Sequence, residues 1–90
     1  MFEYDPVKSF ANAEKHGIDF EEAKSLWADD DALRIRAHDG ADGEQRWLVI
    51  GRIGDLLWAA AVTYRANATR IISVRRARKD EEQLYVDQKL

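Results

Sequence analysis

The spacing of apolar positions divides the chain into a helical first third, a strand-rich middle and a short helical end. Phe2–Asp5 (FEYD) reads as a short edge strand or extended arm. Asp5-Pro6 then gives a helix start, with a carboxylate at the N-cap and proline at the first helical position. Val7, Phe10, Ala11 and Glu14 follow at helical spacing up to Lys15-His16-Gly17, where glycine suits a left-handed cap and cations suit the helix dipole. A second start is written in Asp19 as N-cap, Glu22 as its capping-box partner and Ile18/Ala23 as a small staple. This helix is expected to run to about Ala28 with Phe20, Ala23 and Trp27 on its buried stripe. Asp29, Asp30 and Asp31 end it, because like negative charges at a helix C-terminus are unfavourable.

From Leu33 the period becomes that of strands. LRIRA alternates apolar residues with arginine, HDGADGEQ is a polar loop, and RWLVIGRI and LLWAAAVTYR are joined through Gly54-Asp55, a two-residue hairpin signal. ANAT is a further turn, RIISVRRA a last strand, and Asp80 with Gln83 starts a C-terminal helix containing Leu84 and Tyr85. The predicted fold class is α+β: two N-terminal helices packed on a four-stranded, mainly antiparallel sheet, with a C-terminal helix and one sheet face partly open. Alternation puts Thr63 and Arg65 on one side of their strand, and Ser73 and Arg75 on one side of theirs. Whether these four share a face depends on register.

Ninety residues allow one core, so residues 1–90 are expected to form one domain. The chain is 46% hydrophobic, which argues for an ordered fold despite 34% charged residues. It has no cysteine, which excludes disulfides, thiolate metal sites and a cysteine nucleophile. No leader pattern or membrane-spanning run is present, and a cytoplasmic location is expected. The net charge of -3 conceals an asymmetry. Residues 1–60 carry 7 basic and 13 acidic side chains, whereas residues 61–79 carry six bases and no acid. A focused positive potential on one face is compatible with an acidic total.

That cationic segment holds Arg65, Arg70, Arg75, Arg76, Arg78 and Lys79. Arginine's planar fork matches two phosphate oxygens and stays charged at any relevant pH. Arg70, Arg76, Arg78 and Lys79 also read as a solvated strand end balanced by Asp80, Glu81 and Glu82. His16 and His38 are the only histidines, and without cysteine or a HExxH spacing they give no metal signature. His16 also has a sufficient structural role at a helix C-terminus. The P-loop, GxGxxG and GxSxG motifs are absent, so nucleotide-cofactor and serine-hydrolase chemistry has no support. No cofactor or metal is expected.

FEYDPVKSFANAEKHGIDFEEA resembles the N-terminal pattern of the BrnT toxins of bacterial type II toxin-antitoxin systems, and RIISVRRARKDEEQLY resembles their C-terminal pattern. The resemblance implies a RelE-like ribonuclease fold, inhibition of translation by RNA cleavage, and neutralisation by a BrnA-type antitoxin that itself binds operator DNA. RNA, free or ribosome-associated, is the implied substrate, and no membrane partner is expected. Position by position, Lys8, Asn12, Lys15 and His16 match the first motif, Arg46 and Gly51 the middle strand, Arg65, Ser73, Arg75 and Arg76 the late strands, and Tyr85 an aromatic position in the last helix. One departure stands out: Tyr64 occupies the position where relatives carry a glutamate, which puts the general base in question.

The resemblance and the arginine cluster together predict a metal-independent endoribonuclease in which the 2'-hydroxyl attacks the adjacent phosphate. Arg65 and Arg75 are the candidates for the phosphate, Arg76 for the substrate backbone or support, and His16 or Lys15 for proton transfer. Tyr85, Arg46 and Arg70 are candidate substrate contacts. The alternative is a non-catalytic module whose basic face binds an acidic partner protein or structured RNA. The nuclease reading requires side chains of the last two strands to converge into one phosphate-sized pocket that the helices leave uncovered.

Overall fold

Both N-terminal helix starts form as their sequences dictate in the computed structural model, which describes residues 1–88. Asp5 accepts the backbone N–H of Val7 through Oδ1 and opens helix α1 (Pro6–His16), which Gly17 closes at φ 76° by donating its N–H to Ala13 O. Asp19 and Glu22 form the expected reciprocal capping box of α2 (Phe20–Ala23). Here the structure departs from the expected single helix, because Lys24–Ala28 tightens into a 3₁₀ turn. Phe20, Ala23 and Leu26 are all essentially fully buried, and a burial period of three fits 3₁₀ geometry. Trp27, expected on the stripe, is instead half-buried with its ring edge against Phe2 at 4.8 Å.

The sheet consists of β1 (Phe2–Glu3), β2 (Leu33–Arg36), β3 (Trp47–Ile53), β4 (Leu56–Arg65) and β5 (Ala68–Arg76), in spatial order β1-β5-β4-β3-β2. It therefore has five strands, not the four expected. The N-terminal arm pairs parallel to β5 through Phe2 with Thr69 and Glu3 with Arg70, while the other pairs are antiparallel. The arm supplies the backbone partners that an uncovered edge strand would lack. Residues 89 and 90 of the expected 1–90 domain lie outside the described residues.

Past β1 the edge of β5 is satisfied by a side chain. Asn12 Nδ2 donates to Val74 O and Ile18 O at 2.9 and 2.8 Å, and its Oδ1 accepts the Val74 N–H at 3.1 Å. The carboxamide thus substitutes for a neighbouring strand and ties α1 to the sheet.

Two apolar clusters flank the sheet. On one face Val49, Ala60, Val62, Ile71 and Val74 pack with Ile18, Phe20, Ala23 and Leu26 from the helical layer. On the other, Ile50, Leu57 and Ala59 pack with Tyr85 of helix α3 (Lys79–Asp87). The C-terminal helix starts one residue before the expected Asp80, with Arg78 as N-cap, because Glu81 accepts the Arg78 N–H through Oε1 at 2.8 Å. The helical layer and α3 thus lie on opposite faces. Beyond α3 the second face is free of helix, and the functional question concerns that remainder.

Candidate functional site

Register answers what alternation left open. Ala61 pairs with Ser73 and Ala59 with Arg75, so Thr63, Arg65, Ser73 and Arg75 do share the α3-side face. A register shift between Ala61 and Val62 leaves Ile72 without a direct partner and brings Val62 opposite Ile71 and Thr63 opposite Arg70. This bulge turns Arg70 onto the same face as Arg65, against simple alternation along β5. One further step along the β3–β4 register, past Trp47–Val62, brings Arg46 beside Thr63. Arg46, Thr63 and Arg70 therefore form a row across three strands, with Arg65 at the end of β4 above it.

The row is built from incompletely satisfied groups. Among the described residues, the buried side-chain polar atoms without a hydrogen-bond partner are Arg46 Nε and Thr63 Oγ1, and Thr63 is 1% exposed. Such groups are uncommon in folded proteins and are costly unless something satisfies them. Arg70 is only loosely engaged, with Nη1 3.8 Å from Glu3 Oε1. The polar loop between β2 and β3 folds over the row. Gly40 lies so close to Arg46 that a Cβ there would come 2.7 Å from its Cζ. Glu44 holds Arg65 bidentately, accepting from Nε at 2.6 Å and Nη2 at 2.9 Å. These bonds hold the Glu44 carboxyl below its ordinary range, while Asp42 is lowered chiefly by the Glu44 backbone N–H and also by the charges of Arg46 and Arg65.

The expected convergence of Arg65 and Arg75 on one phosphate does not occur. Arg65 stands opposite Ala68 and Arg75 opposite Ala59, which separates them by six residues of β4, about 20 Å at strand rise. Arg75 is also committed elsewhere: Nη1 and Nη2 donate to Glu81 Oε1 and Oε2 at 2.7 and 2.8 Å. The two ion pairs differ in kind. Arg65 and Glu44 keep 48% and 30% side-chain exposure, so solvent screens their pairing and an incoming anion can displace it. Arg75 and Glu81 keep only 28% and 9%, and losing one partner of such a pair strands a charge.

That difference makes Arg75 a fastening for α3. Hydrogen bonds from Arg75 first, and from the Arg78 backbone second, hold Glu81 below the ordinary carboxylate range despite its burial. A carboxyl lowered in the folded state stabilises the fold above the usual carboxylate pKa, and that contribution is lost as pH falls through the lowered value. Glu81→Ala is expected to destabilise the protein by about 2–3 kcal/mol at neutral pH, and less in acid. Thermal melts of both proteins at pH 7 and below 4 measure it.

Other sequence candidates lie elsewhere. Arg76 is on the helical-layer face, its Cζ 5.6 Å from the Trp58 ring. α1 leaves β1 beside Arg70 and reaches Val74 at Asn12, so Lys15 and His16 come toward the Arg76 end of β5, away from Arg65. Tyr85 is not available to stack on a base: it is 1% exposed and donates its hydroxyl to Asp29 Oδ2 at 2.8 Å. Tyr64 points to the face opposite Arg65. Glu44, which sequence reading left without a role, and Glu81, read only as a solvated counter-charge, fix which arginines are accessible. Asp29, read as a helix stop, also accepts the Arg52 N–H and joins β3 to α3.

A family model described as the ribonuclease toxin BrnT of type II toxin-antitoxin systems matches residues 4–81. The chain belongs to the BrnT family. The match runs from the residue after β1 through the first turn of α3, so the arginine row, the acidic loop and the Arg75–Glu81 fastening all fall inside the BrnT region. BrnT proteins are ribonuclease toxins, and a type II system pairs the toxin with an antitoxin. No curated protein matches the sequence. No helix among the described residues is long and apolar enough to cross a membrane.

Proposed function

We propose that this BrnT protein cleaves single-stranded RNA by intramolecular transesterification at the face bearing Arg46, Thr63, Arg65 and Arg70. The observation that carries this reading is the cationic row with two unsatisfied buried polar atoms under the β2–β3 loop, whose half-buried Glu44 carboxylate holds Arg65. A phosphate of the substrate takes Glu44's place on Arg65, and Arg46 and Arg70 complete its neutralisation. The 2'-oxygen attacks phosphorus and the P–O5' bond breaks, leaving a 2',3'-cyclic phosphate and a 5'-hydroxyl. Guanidinium donors stabilise the charge that accumulates on the equatorial oxygens.

The proton leaving the 2'-hydroxyl needs an acceptor, and the proton reaching O5' needs a donor. Lys15 and His16 were candidates for these steps, but with Arg76 they lie toward the opposite end of β5. We assign them to a more distant stretch of RNA backbone. Glu44 is the carboxylate beside Arg65. Once a phosphate has taken Arg65, the bonds that lower its pKa are gone and it becomes the better base. Solvent supplies the proton to O5'. Metal plays no part in this scheme. A BrnA-type antitoxin would neutralise the toxin by covering the same cationic face, and would carry the contact with operator DNA itself. A ribosome-bound message fits as substrate, since an acidic chain with few phosphate contacts gains little from RNA at large.

Glu44→Gln separates masking from catalysis because the two effects have opposite signs. Binding of a 2'-O-methyl RNA oligomer, which cannot be cleaved by this route, should tighten about two- to fivefold. Cleavage of the unmodified oligomer should slow about 100-fold. Unchanged cleavage by Glu44→Gln would remove Glu44 as the base, and unchanged binding would remove it as the mask.

A further inference from the structure

The face opposite the arginine row carries an aromatic and cationic surface at the same end of the sheet. Trp47 opens β3 and Tyr64 nearly closes β4, and their ring centroids are 6.4 Å apart. Arg34 of β2 lies over both rings, its Cζ 4.8 Å from the Trp47 centroid and 5.5 Å from that of Tyr64. Arg36 reaches the Trp47 ring at 5.5 Å. Tyr64 is 41% exposed, a large ring left at the surface, and Arg34 is exposed with it. Arg36 pairs with Asp39, but among the described residues Arg34 has no hydrogen bond or ion pair. An arginine without a carboxylate, in a chain with three more acids than bases, sits 4.8 and 5.5 Å from two ring centroids and remains exposed.

We propose that Arg34, Trp47 and Tyr64 form a stacking platform for a nucleobase of single-stranded RNA. Aromatic faces and guanidinium planes are the surfaces on which unpaired bases stack, and stacking tolerates any base because each has a π-face. The platform is continuous with the phosphate row: Tyr64 and Arg65 are consecutive in β4 and point to opposite faces at one rim. A strand crossing that rim sets a base on Tyr64 and an adjoining phosphate on Arg65. This rests on RNA being the substrate, but it fails separately from the cleavage chemistry.

The test compares two uncleavable ligands of equal length, a 2'-O-methyl decaadenylate and an abasic 2'-O-methyl backbone, each end-labelled and titrated by fluorescence polarisation. The unmodified protein should bind the base-bearing oligomer at least fivefold more tightly than the abasic one. Tyr64→Ala should lose about five- to tenfold affinity for the first and none for the second, and Tyr64→Phe should keep both. Arg34→Ala should behave as a weaker Tyr64→Ala, which keeps the test decisive if that variant does not fold. Arg65→Ala should weaken both ligands alike. Equal binding of the two oligomers by the unmodified protein overturns the platform. So does a Tyr64→Ala variant that loses antitoxin binding while holding the decaadenylate as before. Either outcome, in a protein that still cuts unmodified RNA, leaves the nuclease reading in place.

Discussion

Asn12→Ala should unfold the protein at much lower denaturant concentration, with a loss of about 3–5 kcal/mol. The side chain is 8% exposed and makes three hydrogen bonds, all with backbone groups of Val74 and Ile18. Removing it leaves Val74 N–H, Val74 C=O and Ile18 C=O facing an apolar gap, and each buried unsatisfied group costs about 1–3 kcal/mol. Relaxation of α1 and entry of water reduce the sum. Against a total of about 5–15 kcal/mol for a domain, the loss is a large fraction of stability. Asn12→Asp should be no better, because it keeps the acceptor for Val74 N–H but replaces two donors with an oxygen facing carbonyls. Urea titration followed by circular dichroism measures both. A shift below about 1 kcal/mol for Asn12→Ala would show that the edge of β5 does not depend on this side chain.

Asn12 also illustrates what the sequence leaves hidden. Local signals were legible because neighbours in sequence produce them: Asp5-Pro6, the Asp19/Glu22 box, Gly17 at positive φ and the alternation of β4 each depend on a few adjacent residues. Alternation also put Thr63, Arg65, Ser73 and Arg75 on one side of their strands. Whatever depended on register was not legible. The bulge at Ile72 that turns Arg70 toward Arg65, the reach of Glu44 to Arg65 across 21 residues, and the arm that joins β5 as a fifth strand are all tertiary choices. The burial of Tyr85 was hidden for the same reason, since its place in a short helix does not reveal which face of the sheet will cover it.

Arg65→Ala should cut RNA about 10²- to 10³-fold more slowly while leaving the fold intact. Truncating a preorganised donor to a transition-state oxyanion carries that penalty, and Arg65 is exposed, so little stability is lost with it. Arg75→Ala should behave differently. It releases Glu81 and loosens α3, so its activity should fall in proportion to the folded fraction and return under stabilising conditions such as added osmolyte. The contrast between two arginines on one face follows from their partners, one pair exposed and exchangeable and the other mostly buried and doubly held. It also separates a nuclease from a docking module: Arg65→Ala should still bind the antitoxin through the remaining cationic surface.

Single-turnover cleavage of one RNA by purified, antitoxin-free Arg65→Ala and Arg76→Ala, beside the unmodified protein, tests the placement of the chemistry most directly. Both side chains are exposed cations within eleven residues of each other, but they lie on opposite faces of the sheet. The expected result is loss of at least 100-fold for Arg65→Ala and less than about fivefold for Arg76→Ala, with both variants folded. Full activity in Arg65→Ala together with its loss in Arg76→Ala would move the active site to the helical-layer face and contradict the assignment made from the arginine row.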